Sequence, residues 1–300
     1  MSIGVPAYNA DRFLAPALES LLAQDEGDLE VVVSDNASTD GTEQLCRDLA
    51  RQDRRLRYVR QSVNRGGAAN FNAVFALRHP GARYFKWAAG DDTHDPRYLG
   101  AVLDVLRRDA TASVAHSLTD DVDEAGRHLR SWGDQGLPGA DPDVSVRFAA
   151  LSQRNYQCFS IFGLMRVETL ASTRGLGYYA ESDRVLLTEL ALRGRLVDVP
   201  EELFHRRQHC GRSVRTHPTA RDRVGWFNPA LVGRPVFPEW RLGQGYVTAL
   251  RDAPLSRADR LRCLAQMGRW TVVRGPHLIR NLARTGAEVT SGRTTLRPPA

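Results

Sequence analysis

Apolar residues in the first 118 positions form two alternating patterns. Short continuous runs predict strands at 2–9, 29–35, 56–61, 83–89 and 112–118. Segments with apolar residues three or four positions apart predict helices after about Asp11, after Asp40, over 67–77 and after Pro96. Because strands alternate with helices of about ten to fifteen residues, we expect a parallel, doubly wound sheet with helices on its faces.

Three residues are expected to mark the ends of these elements. Pro6 is expected to stop the first strand, because proline has no N–H to give to a sheet. Asp40 is expected to cap the second helix, with Glu43 completing a capping box. Ser182 is expected to cap a later helix that runs from Asp183 to about Arg193.

The pattern loosens after about residue 120. Residues 160–170 predict a strand that leads into a short helix, and residues 195–209 predict two short extended pieces around Pro200. From about residue 220 the pattern is mostly helical and rich in arginine. The basic amphipathic segment at 255–284 has three open interpretations: helices packed on the preceding domain with an arginine-covered outer face, peripheral contact with an anionic membrane, or a homodimer surface.

The composition is typical of a soluble globular protein. The 300 residues are 42% hydrophobic and 25% charged, enough for one large domain or two closely joined ones. No apolar stretch approaches the roughly 18 residues of a membrane span, and no signal peptide is visible. The cysteines, Cys46, Cys158, Cys210 and Cys263, have no paired spacing, so we expect free thiols in a reducing cytoplasm.

The formal charge of +6 does not indicate a nucleic-acid partner. Lys86 is the only lysine, and the arginines are spread along the whole chain. A face that follows a phosphate backbone is normally a local cluster of basic residues. We therefore expect no nucleic-acid binding.

Polar side chains follow three of the predicted strands. Tyr8 and Asn9 come after the first strand, Asp35 after the second, and Asp91 and Asp92 after the fourth. In parallel sheets, ligands bind beyond the carboxyl ends of the strands. We therefore expect these residues to meet in one crevice. No lysine or arginine stands beside the two adjacent carboxylates in the sequence.

Five sequence blocks resemble glycosyltransferase family 2. The blocks SIGVPAYNADRFLAPALESLLAQ, VVVSDNASTDGTEQL, NRGGAANFNAV and AAGDDTHDP are similar to its nucleotide-binding half, and YYAESDRVLLTELALRGRLVDVPEELFHRRQHCGRSV is similar to its second half. The resemblance covers roughly residues 1–215 and implies an α/β GT-A fold, a Rossmann-like mixed sheet flanked by helices. It implies a nucleotide-sugar-binding half at 1–118 and an acceptor-binding, catalytic half of the same domain at 119–215. Residues 216–300 lie outside the resemblance and are expected to form a helical C-terminal extension.

The same resemblance implies a divalent cation, Mg²⁺ or Mn²⁺, bound by Asp91 and Asp92, which correspond to the latter part of the family's DxDD pattern. Such cations prefer carboxylate oxygens and offset the charge of a leaving diphosphate. His209 matches the histidine of the family's YRxH element and is implied to complete the metal ligands or to contact the diphosphate. Ala89 replaces the first acid of the DxD, so one ligand or ribose contact is missing. The alternative is that the acids decorate a helix N-terminus before Pro96.

The resemblance also implies which residues hold the donor nucleotide: Pro6, Tyr8, Asn9, Asp35, Arg65, Gly66 and Asp91. Asp35 takes the position of an acid that accepts a hydrogen bond from the base. A carboxylate suits the imide N–H of uracil or thymine and does not suit the unprotonated N3 of cytosine. Two simpler interpretations stay open: Asp35 in an Asx turn that ends a strand, and RGGAAN as a plain turn before a helix.

Transfer to a hydroxyl needs a base, because an alcohol is a poor nucleophile at neutral pH. Asp183 occupies the family's position for that base, and Glu181 is the reserve. Asp183 also lies at a predicted helix N-terminus, where the helix dipole keeps a carboxylate ionised. A helix cap without a catalytic role is the alternative.

As a whole, the resemblance implies an inverting glycosyltransferase that uses a UDP- or dTDP-sugar and a hydroxyl acceptor, whether a saccharide, a lipid-linked molecule or a small molecule. We expect it in the cytoplasm or at the inner face of the membrane. A nucleotidyltransferase that makes activated sugars is one alternative, but its early Gly-rich loop is not matched by AYNADRFL, which has no glycine. A non-catalytic protein that binds a nucleotide-sugar or a carbohydrate is the other, and it would explain Ala89.

Overall fold

The computed structural model describes residues 1–135, 138–216, 222–232 and 234–290. The strands are β1 (Ser2–Ala7), β2 (Glu30–Asp35), β3 (Leu56–Arg60), β4 (Tyr84–Trp87), β5 (Thr93–His94), β6 (Ala112–Val122), β7 (His128–Ser131), β8 (Leu164–Arg166) and β9 (Arg195–Arg207). The α-helices are α1 (Asp11–Leu22), α2 (Thr42–Gln52), α3 (Gly67–Ala76), α4 (Tyr98–Arg108), α5 (Val144–Gln153), α6 (Val167–Ala171), α7 (Ser182–Ala191), α8 (Ser213–Thr216), α9 (Val224–Phe227), α10 (Pro238–Asp252) and α11 (Arg257–Thr290). Short 3₁₀ helices lie at Pro138–Ala140, Phe159–Phe162 and Pro229–Leu231.

One mixed sheet contains these strands in the order β3-β2-β1-β4-β8-β6-β9-β5, with β7 paired to β6. Strands β3, β2, β1 and β4 are parallel neighbours. Strand β8 runs antiparallel to β4 and β6, and β5 runs antiparallel to β9. The fully parallel sheet expected from the alternation of elements is therefore wrong, and the mixed sheet implied by the resemblance is confirmed.

Apolar layers cover both faces of the sheet. In β2, Val31 and Val33 pack into one layer, with Leu18 of α1. Val32 packs into the opposite layer, with Val74 of α3 and residues of α7. Successive side chains of a strand point to opposite faces, so burial on both faces explains the unbroken run of valines.

Both strand interruptions predicted at prolines, at Pro6 and at Pro200, are wrong. Strand β1 continues through Pro6 to Ala7, because its pairing with β4 ends at Gly4 and the missing N–H of Pro6 falls beyond that pairing. Strand β9 continues through Pro200 as one element. Its pairing with β6 passes from Ser117–Val199 to Leu118–Glu202, so a bulge absorbs the proline.

The two predicted caps differ from the expected geometry. Oδ1 of Asp40 accepts the N–H of Thr42 at 3.0 Å, but Glu43 pairs with Arg47 rather than completing a capping box. Ser182 is the first residue of α7, and its hydroxyl donates to the carbonyl of Gly177 at 2.8 Å. The residue before it, Glu181, has a left-handed backbone with φ of 68°, and this turn starts the helix.

The described part of the C-terminal region is mostly helical, as predicted, and packs against α5 and α7. Helices α10 and α11 share an apolar cluster with residues of α5 and α7. Trp270 of α11 packs over Gly243 of α10, where a Cβ would come within 2.9 Å of the indole. No described helix is long and apolar enough to cross a membrane. The predicted boundary at residue 216 stays a prediction.

Candidate active site

Asp91 and His209 meet at the carboxyl end of β4. Strand β5 follows Asp92 directly and pairs with β9 through Thr93 and His205, so the chain that leaves β9 passes beside Asp91. Nε2 of His209 lies 2.9 Å from Oδ2 of Asp91. The imidazole is held against the ring of Phe13 in α1, with ring centroids 4.7 Å apart. A carboxylate oxygen and an imidazole nitrogen therefore converge at one point, and the carboxylate side chain is 27% exposed.

Asp92 points into the protein. Its Oδ1 accepts hydrogen bonds from the backbone N–H of Arg207 at 2.9 Å and from the guanidinium of Arg212 at 3.1 Å. Its Oδ2 is buried without a hydrogen-bond partner among the described residues. Arg212 also lies 3.8 Å from Oδ2 of Asp91. The acid pair has no basic neighbour in the sequence, but the fold brings Arg212 beside it from a distant segment.

The electrostatic environment shifts the pKa values of Asp91 and Asp92 in opposite directions. Burial raises the pKa of Asp91, but the hydrogen bond from His209 and the charge of Arg212 outweigh it, so the net pKa lies below its usual value. Burial and the charge of Asp91 raise the pKa of Asp92 to about 7. Asp91 is therefore the acid of the pair that holds its negative charge more firmly.

The residues present fit part of a divalent-cation site. Asp91 and His209 supply an oxygen and a nitrogen donor, and Mg²⁺ and Mn²⁺ accept such ligands together with phosphate oxygens. Asp92, the third predicted ligand, has its bonded oxygen turned toward Arg207 and Arg212. Over the described residues, no three side chains of His, Cys, Asp and Glu form a ready-made metal cluster. The site therefore has two converging donors, and ligation by Asp92 stays a prediction.

The loops after β1 and β2 are joined at the same edge. Asn9 donates its N–H to the hydroxyl of Ser38 at 2.9 Å, and Ser38 donates its own N–H to Oδ1 of Asp35 at 2.8 Å. A Cβ on Gly90 would lie 3.7 Å from Cβ of Ala10, so the segment before Asp91 touches the loop after β1. The predicted clusters therefore adjoin one another. Tyr8, next to Asn9, exposes 49% of its surface.

Asp35 is fully buried and already bonded within the protein. Its Oδ1 also accepts the hydroxyl of Ser38 at 2.5 Å. Its Oδ2 accepts the hydroxyl of Tyr58 at 2.5 Å and the guanidinium of Arg60 at 2.8 Å. The bond from the N–H of Ser38 spans three residues, one more than the Asx turn that was left open as an alternative. Recognition of a base by Asp35 stays a prediction, and it requires one of these donors to give way.

The other predicted donor residues have different surroundings. Pro6 is partly buried in β1, and Arg65 is exposed, with its backbone N–H donated to Oδ1 of Asn36 at 3.0 Å. Gly66 has φ of +88°, and a Cβ there would lie 2.6 Å from Pro229 and 2.8 Å from the carbonyl of Phe227. The glycine is thus needed for contact with the C-terminal extension.

A cavity of about 530 Å³ lies beside these loops. It is lined by Asn36, Gln61, Arg65, Ala69, Asn70, Asn72, Ala73, Tyr178 and Asn228. Sequence analysis missed Asn36, although the adjacent Asp35 was considered. Arg212 was also not predicted, since its contact with Asp92 depends on the course of the chain after β9.

Asp183, the predicted base, lies in the first turn of α7. Burial raises the pKa of Asp183, and the charge of Arg184 only partly opposes this. Burial therefore opposes the effect of the helix dipole, and ionisation of Asp183 at neutral pH stays a prediction. Glu181, the predicted reserve, lies 3.6 Å from Arg223. The approach of Asp183 to a substrate held at Asp91 stays a prediction.

A second cavity, of about 480 Å³, lies between α7 and α10. Its lining includes Tyr178, Tyr179, Ser182, Glu189, Phe237 and Arg241. Tyr178 and Asn228 line both cavities, so these two residues stand between them.

Comparison with known proteins agrees with this architecture. The profile described as Glycosyl transferase family 2 matches residues 2–162, more than half of the 300-residue chain. A GalNAc(5)-diNAcBac-PP-undecaprenol beta-1,3-glucosyltransferase of Campylobacter jejuni is 26% identical over 54% of this chain, and chondroitin synthase of Escherichia coli is 29% identical over 42% of it. These matches cover 51% and 18% of the two relatives' own lengths.

Two solved structures have the same fold. TarS 1-349 of S. aureus in complex with UDP-GlcNAc superimposes with a TM-score of 0.66 at 16% identity, over 95% of this chain and 80% of its own. Mannosyltransferase PcManGT of Pyrobaculum calidifontis, in complex with GDP-Man and Mn²⁺, superimposes with a TM-score of 0.53 at 18% identity, over 97% of this chain and 87% of its own. At these identities the similarity shows the fold alone.

Proposed function

The chain belongs to glycosyltransferase family 2, and on that premise we propose that it transfers a sugar, with inversion, from a UDP- or dTDP-sugar to a hydroxyl acceptor, with Mg²⁺ or Mn²⁺ as cofactor. The acceptor is a saccharide, a lipid-linked molecule or a small molecule. We place the reaction in the cytoplasm or at the inner face of the membrane. One observation carries the proposal: the convergence of Asp91 and His209 at the carboxyl edge of the sheet.

Asp91 and His209 would hold the cation, and Asp92 would order the chain around it. A bound Mg²⁺ or Mn²⁺ supplies positive charge that offsets the charge developing on the leaving diphosphate. Oδ1 of Asp92 fixes the backbone of Arg207 and the guanidinium of Arg212. Arg212 thereby lies beside the acids as a second positive charge for phosphate oxygens. The donor set supports the proposal, as does the presence of Mn²⁺ with PcManGT.

Asp183 is the proposed base. It removes the proton of the acceptor hydroxyl while the hydroxyl oxygen bonds to the anomeric carbon from the face opposite the diphosphate. The bond from that carbon to the diphosphate oxygen breaks in the same step, which inverts the configuration. Burial raises the pKa of Asp183, and this makes its carboxylate a stronger base than an exposed aspartate.

The nucleotide is proposed to lie over the loops after β1 and β2. Exposed Tyr8 offers a ring face to a base, and Asn9 ties its loop to Asp35 through Ser38. Arg65 and the turn at Gly66 flank the same edge. Asp35 remains the proposed acceptor for the base N–H, which would replace the hydroxyl of Tyr58 or the guanidinium of Arg60.

The proposal is tested by release of nucleoside diphosphate from a panel of UDP-, dTDP- and GDP-sugars with Mn²⁺. We expect turnover with a uridine or thymidine donor and its loss in Asp91→Asn and Asp183→Asn. Asp104→Asn, on the exposed side of α4, is the control and should keep the rate. Unchanged release in both site variants would contradict the proposal, as would release from GDP-sugars alone.

A further inference from the structure

The outer face of α11 carries a row of exposed apolar side chains. The row, here called the outer stripe, consists of Leu261, Leu264, Val272, Ile279 and Leu282, and each is 45% to 78% exposed. Their spacing places them along one side of the helix. Two glycines in the same row, Gly268 and Gly275, would have no neighbouring heavy atom within 4 Å of a Cβ. No described residue therefore covers the stripe at these points.

The opposite face of α11 holds the helix in place. Cys263, Met267, Trp270 and Leu278 are buried and belong to the cluster with α10 and α5. The helix therefore does not need the outer stripe for its own packing. Single exposed apolar residues are ordinary, but a continuous apolar row on a rigid helix normally marks an interaction surface.

One edge of the stripe is aromatic. Trp240 of α10 is 44% exposed, and its indole N–H donates to the carbonyl of Leu278 at 3.2 Å, one turn before Leu282. The ring thus extends the apolar surface of the stripe. Tryptophan with one polar tip and an exposed ring is typical of the boundary between water and lipid.

The other edge is positively charged. Helix α11 contains seven arginines against two acids, Asp259 and Glu288. Arg262 pairs with Asp143 and Asp259. By contrast, Arg269 and Arg280, which lie beside the stripe, have no ion pair with a carboxylate among the described residues.

We propose that the outer stripe docks on an anionic phospholipid bilayer. Its apolar side chains enter the boundary of the acyl region, Trp240 lies at headgroup depth, and Arg269 and Arg280 bind lipid phosphates. A second copy of the chain fits less well. An antiparallel two-fold pairing through the stripe would bring the identical arginines Arg269 and Arg280 of the two copies to the same side of the interface, where like charges repel. The surface uses none of the proposed catalytic residues, so it stands or falls independently of the catalytic proposal.

The test is flotation of the full chain with phosphatidylcholine vesicles and with vesicles that contain about one third phosphatidylglycerol. We expect binding only to the anionic vesicles, and its loss in 0.5 M salt, since salt screens the arginines. Arg269→Gln with Arg280→Gln should weaken binding about 30-fold. Val272→Ser with Ile279→Ser should abolish it, whereas Val63→Ser with Leu129→Ser, exposed elsewhere, should leave it unchanged.

The changed side chains lie outside the buried cluster of α11, so we expect each variant to fold. Thermal unfolding measures whether it does. Failure of the folded wild type to float with anionic vesicles overturns the proposal. Equal flotation of wild type and Val272→Ser with Ile279→Ser overturns it as well. A dimer in sedimentation equilibrium that the same pair of serines dissociates would assign the stripe to a second copy instead.

Discussion

His209 places its Nε2 2.9 Å from Oδ2 of Asp91, although 118 positions separate the two residues. The contact exists because β5, which follows Asp92, pairs with the end of β9. Two metal-compatible donors therefore face the ligand edge of the sheet together. The proposed reaction depends on this pair on one side and on Asp183 on the other.

Asp183→Asn tests the proposed base. We expect kcat to fall by about 10²–10⁴-fold, because an amide cannot accept the hydroxyl proton, while the KM for the donor changes little. Because burial raises the pKa of Asp183, the acidic limb of the wild-type kcat profile should lie above the usual pKa of an aspartate. Steady-state kinetics across pH measures both effects.

Glu181→Gln is the matched control for that variant. Glu181 stands two positions earlier and pairs with Arg223, so its neutralisation should leave kcat within a few-fold of wild type. A large loss in Glu181→Gln with full activity in Asp183→Asn would transfer the role of base to Glu181.

The ion pair between Arg206 and Asp121 should stabilise the segment that leads to the site. It is bidentate, with nitrogen–oxygen distances of 2.7 and 2.9 Å, and both side chains are largely buried. Arg206→Met should cost about 3 kcal/mol in the free energy of unfolding, because Asp121 is left buried without its cation. The exposed pair of Arg51 and Asp48 is the control, for which Arg51→Met should cost less than about 0.5 kcal/mol. Equal costs in denaturant unfolding would contradict this.

Gly66 should be required for docking of the C-terminal extension. Gly66→Ala forces a Cβ to within 2.6 Å of Pro229 at a φ of +88°, and we expect a loss above about 2 kcal/mol. Gly126 has a φ of +82° with open space around it, so Gly126→Ala should cost only the backbone strain of about 1 kcal/mol. Denaturant unfolding compares the two variants, and similar losses would show that the close contact does not matter.

Buried Lys86 should make stability depend on pH. Burial lowers its pKa from 10.5 to about 7, and its Nζ lies 2.7 Å from Nε2 of His94. Between these two pH values the unfolded chain binds more protons at this position than the folded chain, so this contribution to stability rises with pH.

The difference in unfolding free energy between wild type and Lys86→Met isolates this effect from the other titrating groups. Wild type should gain about 2 kcal/mol relative to the variant between pH 7 and 9. A constant difference across that range would mean that Lys86 is not desolvated in the folded protein.

Local pattern was sufficient for the parallel half of the sheet. The burial of β2 and α1 can be predicted from their own sequences, from a run of valines and from regularly spaced apolar residues, because each element packs on a neighbouring layer. The interruption predicted at Pro200 is wrong, since the bulge that accommodates the proline depends on the register with β6. The direction of β8 likewise depends on where a long connection returns to the sheet. The local sequence pattern does not contain that information.

Candidate chemistry was predicted where residues follow strand ends, and missed where distant segments meet. Asp91 was found in this way, and its partner His209 was found only by resemblance. Arg212 was missed, because its ion pair with Asp92 leaves no periodic trace in the sequence. Asp35 was correctly placed at a strand end. Its hydrogen bonds from Tyr58 and Arg60 could not be predicted, because they depend on the pairing of β3 with β2.

Isothermal titration of UDP into the folded protein, with and without Mn²⁺, tests the central claim most directly. The account predicts that Mn²⁺ strengthens UDP binding at least about tenfold in wild type, because a cation held by the proposed ligands Asp91 and His209 would offset the charge of the diphosphate. It predicts no such strengthening in Asp91→Asn. Wild type that binds no UDP under either condition, or Asp91→Asn that keeps the full Mn²⁺ effect, would contradict the account.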